Sequence, residues 1–214
     1  MARCLECKEK FIVKYFNQKF CLLKDGCIKS FSEYAKEKTK KEFTKKCSKE
    51  RKEFNEKNKT ISQWKNDLQN KCNLIARLID FNQPCIATGK FTGKMAGGHC
   101  IGVGANDTIR FNLHNIHKQS FHSNSWKGGD NIRYQSGIVN RYGIDYMNRI
   151  LDLQKCPVIK LSIPEINETM KIAGTIIKEL KDISQHFDEF NPQKSIDLRT
   201  YYNKMLNIYP LEYQ

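Results

Sequence analysis

The stretch between Gly26 and Pro84 contains neither glycine nor proline, so nothing in it forbids helix formation. Residues 30–33 and 60–63 both fit the Ser/Thr-x-x-Glu/Gln capping-box pattern, which predicts two helix starts. Behind the second box, apolar residues recur at three- and four-residue steps: Ile61, Trp64, Leu68, Cys72, Ile75 and Leu78. We therefore expect a basic helical segment over residues 30–83, whose second helix docks on the domain that follows.

The charge of the chain is concentrated in its first third. Lys and Arg number 37 against 23 Asp and Glu, a net charge of +14, and residues 1–80 carry +10 of it. Such an excess favours polyanionic partners, with nucleic acid the first candidate. A solvated lysine-rich helix face without a partner is the alternative that composition leaves open.

Length and hydropathy exclude other classes. A chain of 214 residues can form one sizeable domain or two small ones and can bury a core. Mean hydropathy is −0.64, and no apolar run approaches the length of a membrane span. The N-terminus shows no apolar secretory segment. These features predict a cytoplasmic protein that makes no membrane contact.

Nine cysteines, an odd number, argue against a disulfide framework in such a chain. Cys4 and Cys7 form a Cys-x2-Cys pair, and Cys21 and Cys27 follow thirteen residues later as a Cys-x5-Cys pair. Four thiolates at this spacing suit one tetrahedral zinc ion, which would supply the folding energy that so short a segment lacks. We expect a Zn²⁺ hook over residues 1–29. Four buried or idle thiols are the alternative.

The composition of the chain changes after Pro84, because six glycines lie between residues 89 and 104. They predict short strands and tight turns, with a further strand over residues 108–112. Residues 131–153 are predicted as one or two helices interrupted at Gly137 and Gly143, and residues 162–165 as another helix start. The expected fold class is α+β, with a compact core over 84–153 and a C-terminal helical region over 154–214.

Four of the five histidines lie between residues 99 and 122. A neutral imidazole such as that of His99 can deprotonate a water that attacks phosphorus, while a divalent ion offsets charge on the phosphate. A hairpin followed by a helix would place His99, Asn115 and His117 around one point. The ββα-metal, or His-Asn-His, nucleases use this arrangement of strands, helix and side chains. His114 and His122 are expected to be structural or at the surface.

Several motifs in this region resemble the phage NinG (Rap) recombination-protein family. They are Ala-Gly-Gly-His at 96–99, Ile-Arg-Phe-Asn at 109–112, Asn-Ile-His-Lys-Gln at 115–119, and Asn124 with Lys-Gly-Gly-Asp at 127–130. The similarity covers roughly residues 1–190. It implies a structure-specific, metal-dependent DNA endonuclease of His-Asn-His type that acts on branched recombination intermediates. Junction-cutting enzymes often act as dimers, so a homodimer is a further expectation.

The resemblance also implies roles for individual residues. His99 would be the general base or a metal neighbour, and Asn115 would pin the loop that orients it. Asn124 would be a ligand of a catalytic Mg²⁺ or Mn²⁺ ion. The remaining residues would contact phosphate, and these are Arg110, His117, Lys118, Gln119 and Lys127.

The chain also departs from the family pattern. The family frames this site with two Cys-x2-Cys pairs, but here residues 85–88 are Cys-Ile-Ala-Thr and residues 120–123 are Ser-Phe-His-Ser. A second structural zinc is therefore expected to be lost, with apolar packing in its place by Phe91, Ile109, Phe111, Ile116 and Phe121. Two alternatives follow: a non-catalytic junction-binding protein with a degenerate His-Asn-His fold, and a zinc adaptor for an acidic partner protein.

Overall fold

The computed structural model describes residues 1–126, 130–184 and 191–214. The chain divides into two compact units, Met1–Lys59 and Thr60–Gln214. In the first unit, strand β1 (Ala2–Arg3) pairs antiparallel with β2 (Lys10–Phe11), and helix α1 (Asp25–Lys57) follows.

Helix α1 begins earlier than its sequence predicts. The capping box expected at residues 30–33 is wrong, because these residues lie inside the helix, whose N-cap is Lys24. Asp25 in the first turn interacts favourably with the helix dipole, and no glycine or proline after Gly26 delays the start. Only Cys27 is buried among the residues of α1, so the predicted solvent-exposed basic helix is confirmed.

Helix α2 (Ile61–Ile79) opens the second unit as predicted. The backbone N–H of Gln63 donates to Thr60 Oγ1 at 3.3 Å, and the N–H of Thr60 donates to Gln63 Oε1 at 2.8 Å, which completes the capping box. The predicted apolar stripe is confirmed for Trp64, Leu68, Cys72 and Ile75, which are buried. It is wrong for Ile61, which is 49% exposed at the first turn, and Leu78 is only partly buried. The helix buries Ala76 and Ile79 as well.

A two-stranded antiparallel sheet lies beside α2. Strand β3 (Met95–His99) pairs with β4 (Ile116–Ser120), so that His99 lies opposite Ile116 and Met95 opposite Ser120. Helix α3 (Phe121–Trp126) follows β4 directly. The chain thus runs strand, strand, helix in this region.

The strand expected over residues 108–112 is wrong. This segment forms turns, in which the N–H of Arg110 donates to Asp107 O and the N–H of Asn112 donates to Ile109 O. Arg110 is buried between the buried residues Ile109 and Phe111, so the alternation of inward and outward residues that a half-buried strand needs is missing.

The described part of the second unit contains four further α-helices: α4 (Asn131–Tyr142), α5 (Ile144–Asp152), α6 (Ile163–Ser184) and α7 (Pro192–Leu206). Gly143, at φ 90°, separates α4 from α5 as predicted. Gly137 does not interrupt α4. A Cβ there would collide with the carbonyl oxygen of Ile86, so this glycine permits close packing rather than a break.

The sheet is covered on both faces. Alternate residues of a strand point to opposite faces. A Cβ on Gly97 would collide with Asn73 of α2, whereas Gly98 accepts a hydrogen bond from Tyr134 Oη of α4 at 2.8 Å. The hairpin is therefore held between α2 on one face and α4 on the other.

A fully buried ion pair joins distant parts of the second unit. Arg199 Nη2 donates to Asp80 Oδ1 at 2.8 Å, and both side chains have no exposed surface. The Asp80 carboxylate also accepts from the backbone N–H of Lys118 at 2.9 Å and from Tyr142 Oη at 3.2 Å. One carboxylate thus connects the end of α2 to β4, α4 and α7.

The architecture is a helix-rich α+β fold with two small sheets, which confirms the fold class at that level. No helix in the described part of the chain combines the length and the apolar character needed to cross a membrane. The four-domain division and the His-Asn-His core stay predictions.

Candidate functional site

His99 ends β3 and makes one well-formed hydrogen bond. Its Nε2 lies 2.9 Å from the carbonyl oxygen of Arg110 and 3.3 Å from Gln69 Nε2. Because a carbonyl oxygen can only accept, Nε2 carries the proton and the lone pair is on Nδ1. Burial lowers the pKa of His99, so the imidazole is neutral at pH 7. No residue in the described ranges hydrogen-bonds Nδ1, which is chemically able to accept a proton.

Asn115 pins the loop between the two strands. Its Oδ1 accepts from the N–H of Ile101 at 2.8 Å, and its Nδ2 donates to the carbonyls of Ile101 at 3.0 Å and Ile109 at 3.4 Å. Its own carbonyl accepts from the N–H of Cys100 at 2.9 Å. These bonds hold the loop so that the Arg110 carbonyl lies against His99.

The guanidinium of Arg110 is held by other protein groups. Nε donates to Gln69 Oε1 at 2.9 Å, Nη1 to Asp107 Oδ1 at 2.9 Å, and Nη2 to Asn66 Oδ1 at 3.0 Å. Burial opposes ionisation of Asp107, but Lys65 and Arg110 beside it hold its pKa below the ordinary value. A bidentate phosphate contact would require Arg110 to release these partners.

Sequence reasoning missed Asn66 and Gln69, which α2 contributes to this cluster. Both lie beside the buried stripe of α2, three residues apart, so they share one face of the helix. Their three-residue spacing was the one feature of the sequence that could have indicated a shared polar face. What sequence could not show is that this polar edge faces the loop after β3, about forty residues further along the chain.

The structure does not bring His117 to the same face of the sheet as His99. His117 pairs with Gly98, so its side chain points away from that of His99. It is fully buried among the rings of Tyr134, Tyr142 and Tyr146, and its Nδ1 lies 3.2 Å from Tyr134 Oη. Contact between His117 and a phosphate would require this core to open.

The other predicted contact residues are also dispersed. Gln119 is buried on the His117 face, where its side chain fills the space that a Cβ on Gly98 would need. Lys118 lies on the His99 face, but its Nζ donates to the Phe81 carbonyl at 2.8 Å, and burial lowers its pKa. Lys127 lies outside the described residues.

Asn124 is the predicted ligand of the catalytic ion, and its helix begins far from His99 along the sheet. Helix α3 starts at the Met95–Ser120 pair, four residues and about 13 Å of strand from the His99–Ile116 pair. No described hydrogen bond joins Asn124 to His99. Within the described ranges, the cysteines of the first unit are the only cluster of three or more Cys, His, Asp or Glu side chains able to share a metal. The Mg²⁺ or Mn²⁺ site with Asn124 as a ligand stays a prediction.

The four N-terminal cysteines do converge. The Sγ atoms of Cys4, Cys7, Cys21 and Cys27 all lie within 4.8 Å of one another. The Cys4–Cys27 distance is 3.7 Å and the Cys7–Cys21 distance is 3.8 Å. Sulfurs bound at 2.3 Å to one tetrahedral ion lie about 3.8 Å apart, so this cluster could hold a metal such as zinc.

The segments at residues 85–88 and 120–123 are in contact, but they contain only one cysteine, Cys85. The N–H of Ser120 donates to Cys85 Sγ at 3.1 Å, and Ser120 Oγ donates to Ser123 Oγ at 3.1 Å. The hydrogen bond to Cys85 therefore connects the turn at residues 85–88 to the junction between β4 and α3 at residues 120–123.

Only part of the packing expected around these turns is present. Ile109, Phe111 and Ile116 are buried as predicted. The prediction is wrong for Phe91 and Phe121, which are 66% and 49% exposed. Both rings lie at the surface beside lysines, Phe91 near Lys118 Nζ and Phe121 near Lys94 Nζ.

Two buried histidines make the second unit sensitive to acid. Burial, together with nearby arginines, holds the pKa values of His114 and His117 well below the ordinary value. In the unfolded chain these imidazoles bind protons near pH 6.5, whereas in the folded chain they stay neutral. Their contribution to the free energy of unfolding is therefore fully present above that pH and is lost as the pH falls below it. We expect the free energy of unfolding to fall by about 4 kcal/mol between pH 7 and pH 5 through this pair.

Urea denaturation at several pH values measures this loss. His117→Phe removes one titrating group of this pair and should reduce the stability loss between pH 7 and pH 5 by about 2 kcal/mol, whatever its effect on stability at pH 7. Val158→Ala, which changes an exposed side chain that does not titrate, serves as the control and should leave the pH dependence unchanged. An unaltered pH dependence in His117→Phe would contradict the assignment.

Comparison with known proteins identifies the family. The family described as "Bacteriophage Lambda NinG protein" matches residues 1–183. "Protein ninG" of Escherichia phage 933W is 29% identical over 158 residues, which cover 69% of this chain and 79% of that protein. "Protein ninG" of Escherichia phage lambda is 32% identical over 93 residues, covering 43% of this chain and 46% of that protein. No solved structure matches the chain. Since the family match spans most of its length, the chain belongs to the bacteriophage lambda NinG protein family.

Proposed function

We propose that this chain is a DNA endonuclease that hydrolyses a phosphodiester bond in branched recombination intermediates, with His99 as the general base. One observation carries the proposal: His99 Nε2 donates to the Arg110 carbonyl, which leaves a neutral imidazole with its lone pair on Nδ1. A fixed imidazole of this kind can accept a proton from the water that attacks phosphorus.

The residues around His99 position it rather than react. Asn115 holds the loop that carries the Arg110 carbonyl, so the ring cannot rotate without losing its hydrogen bond. Gln69 Oε1 accepts from Arg110 Nε and so helps to hold the residue whose carbonyl contacts the imidazole. When the water proton reaches Nδ1, the Arg110 carbonyl stabilises the resulting imidazolium through the Nε2 hydrogen bond.

The basic helix α1 would supply much of the affinity for DNA. It is 33 residues long and, apart from Cys27, none of its residues is buried. Lysines on such a surface bind phosphates and release counterions, so binding should weaken as salt increases. The four N-terminal cysteines would hold a structural Zn²⁺ ion.

A divalent ion such as Mg²⁺ or Mn²⁺ would offset the charge that develops on the phosphate. Because His99 and Asn124 are not joined by any described contact, we assign no step to such an ion. The same arrangement favours the second candidate function, a junction-binding protein without catalysis. In that case Arg110 stays in its protein network, and the chain binds branched DNA without cutting it.

Nicking of a labelled four-way junction tests the role of His99. We expect His99→Ala to reduce the nicking rate by about 10²- to 10⁴-fold, because the general base is lost. Each protein is assayed with Mg²⁺, with Mn²⁺ and with a chelator, and circular dichroism verifies folding. Lys160→Ala is the control, since it removes an exposed basic side chain outside this cluster.

The outcomes separate the two candidates. Equal cutting by wild type and His99→Ala would remove His99 from the mechanism. Tight junction binding by the wild type, with no product under any metal condition, would favour the non-catalytic function.

A further inference from the structure

A basic cleft of about 760 Å³ lies at the end of the hairpin opposite His99. Lys90 and Lys94, which precede β3 in the chain, line it together with Arg133 of α4. Hydroxyl groups of Thr88 and Thr92 also line it. None of the described residues that line the cleft is acidic, so its walls present only donors and neutral groups to a ligand.

The cationic groups of this cleft are exposed and weakly paired. Lys90 and Lys94 are exposed, and neither forms an ion pair within the described ranges. Arg133 has a 62% exposed side chain, and its contact with Asp130 is a long one of 3.9 Å. The charges of the cleft are thus available to an external anion.

An exposed aromatic ring stands among these charges. Phe121 is 49% exposed, lines the cleft and has Lys94 Nζ 5.6 Å from its ring centroid. A ring that is half exposed contributes only part of its hydrophobic free energy to folding. Proteins that bind single-stranded nucleic acids combine these two elements, cations along the backbone and aromatic rings on which bases stack.

We propose that this cleft binds an unpaired nucleic-acid strand, with Lys90, Lys94 and Arg133 on its phosphates and a base stacked on Phe121. The inference rests on the proposed DNA partner and adds a substrate class, namely DNA with unpaired nucleotides at a branch. A fully paired duplex keeps its bases stacked inside, so it would reach the cations but not the ring.

Fluorescence anisotropy with a labelled single strand, a forked duplex and a plain duplex tests this proposal in the full-length protein. The variant Lys90→Ala/Lys94→Ala/Arg133→Ala should bind the single strand at least about 10-fold more weakly. For this variant, the slope of log affinity against log salt concentration should become shallower by about 2, because three phosphate contacts are lost. The charge-matched control Lys155→Ala/Lys160→Ala/Lys178→Ala removes three exposed lysines outside the cleft. Equal effects of the two triple variants would overturn the proposal.

Phe121→Ala tests the stacking contact. We expect an affinity loss of about 5- to 150-fold for the single strand and the fork, with little change for the plain duplex. Tyr201→Ala, which removes another half-exposed ring, is the control and should leave all three affinities unchanged. Equal losses for the single strand and the plain duplex would also overturn the proposal.

These measurements do not depend on cleavage. A protein that never nicks DNA can still show the contrast between cleft and control variants, in which case only the endonuclease proposal fails. If the wild type nicks junctions but the cleft variants bind DNA normally, only the proposal that the cleft binds an unpaired strand fails. A wild type that binds none of the three probes would refute the cleft directly.

Discussion

Asp80→Ala should lower the free energy of unfolding of the second unit by about 3–5 kcal/mol, the largest loss we expect from one substitution there. The change leaves the Arg199 guanidinium buried without its counterion. It also removes the acceptor for the N–H of Lys118 and for Tyr142 Oη. Helices α2, α4 and α7 and strand β4 all lose a shared partner, so urea denaturation should show an early but still cooperative transition.

Two comparisons make this prediction specific. Asp152→Ala removes an exposed carboxylate that pairs with Lys155, and it should cost less than about 1 kcal/mol. Replacing both buried partners, as in Asp80→Asn/Arg199→Met, should recover part of the loss, because no charge is then left buried alone. A cost for Asp80→Ala no larger than that for Asp152→Ala would show that the pair does not stabilise the fold.

Removal of the metal from the N-terminal cysteine cluster should unfold the small sheet of the first unit entirely. The cluster packs with only two buried aromatic residues, Phe11 and Phe20, which is too little apolar surface to fold alone. A structural zinc site supplies about 10–16 kcal/mol of binding free energy, so folding here depends on the ion. We expect one zinc per chain, and chelation should abolish the tertiary signals of residues 1–27 while leaving unfolding of the second unit unchanged.

Cysteine variants provide the control for this prediction. Cys4→Ser should reduce bound zinc below one equivalent and disorder the β1–β2 sheet. Cys47→Ser replaces an exposed cysteine and should change neither metal content nor stability. Protein purified under reducing conditions without stoichiometric zinc would contradict the assignment.

Local features of this fold could be predicted from sequence. The apolar stripe and capping box of α2, the break at Gly143 and the spacing of the N-terminal cysteines all depend on residues close together in the chain. Each is decided by short-range geometry, so a single sequence contains the necessary information.

Long-range features could not be predicted. The pairing of Gly98 with His117 decides that the imidazoles of His99 and His117 point to opposite faces, and no local pattern specifies that register. Gln69 meets Arg110 across 41 residues, and Asp80 meets Arg199 across 119. The sequence therefore predicts the histidine and the asparagine of the candidate site, but it does not predict the contacts that α2 supplies to this cluster.

The hydrogen-bonded turns around Cys85 and Ser120 have a consequence for the timing of synthesis. Their contacts use only groups that the chain itself carries, so they can form without a bound ion. We therefore expect folding of the second unit to be insensitive to zinc, since its described residues contain no cluster of three or more Cys, His, Asp or Glu side chains able to share a metal. The N-terminal cysteines leave the ribosome first, yet the fold that we expect for them needs an ion from outside the chain. During a zinc shortage, newly made chains would therefore accumulate with a finished second unit and an unfinished first one.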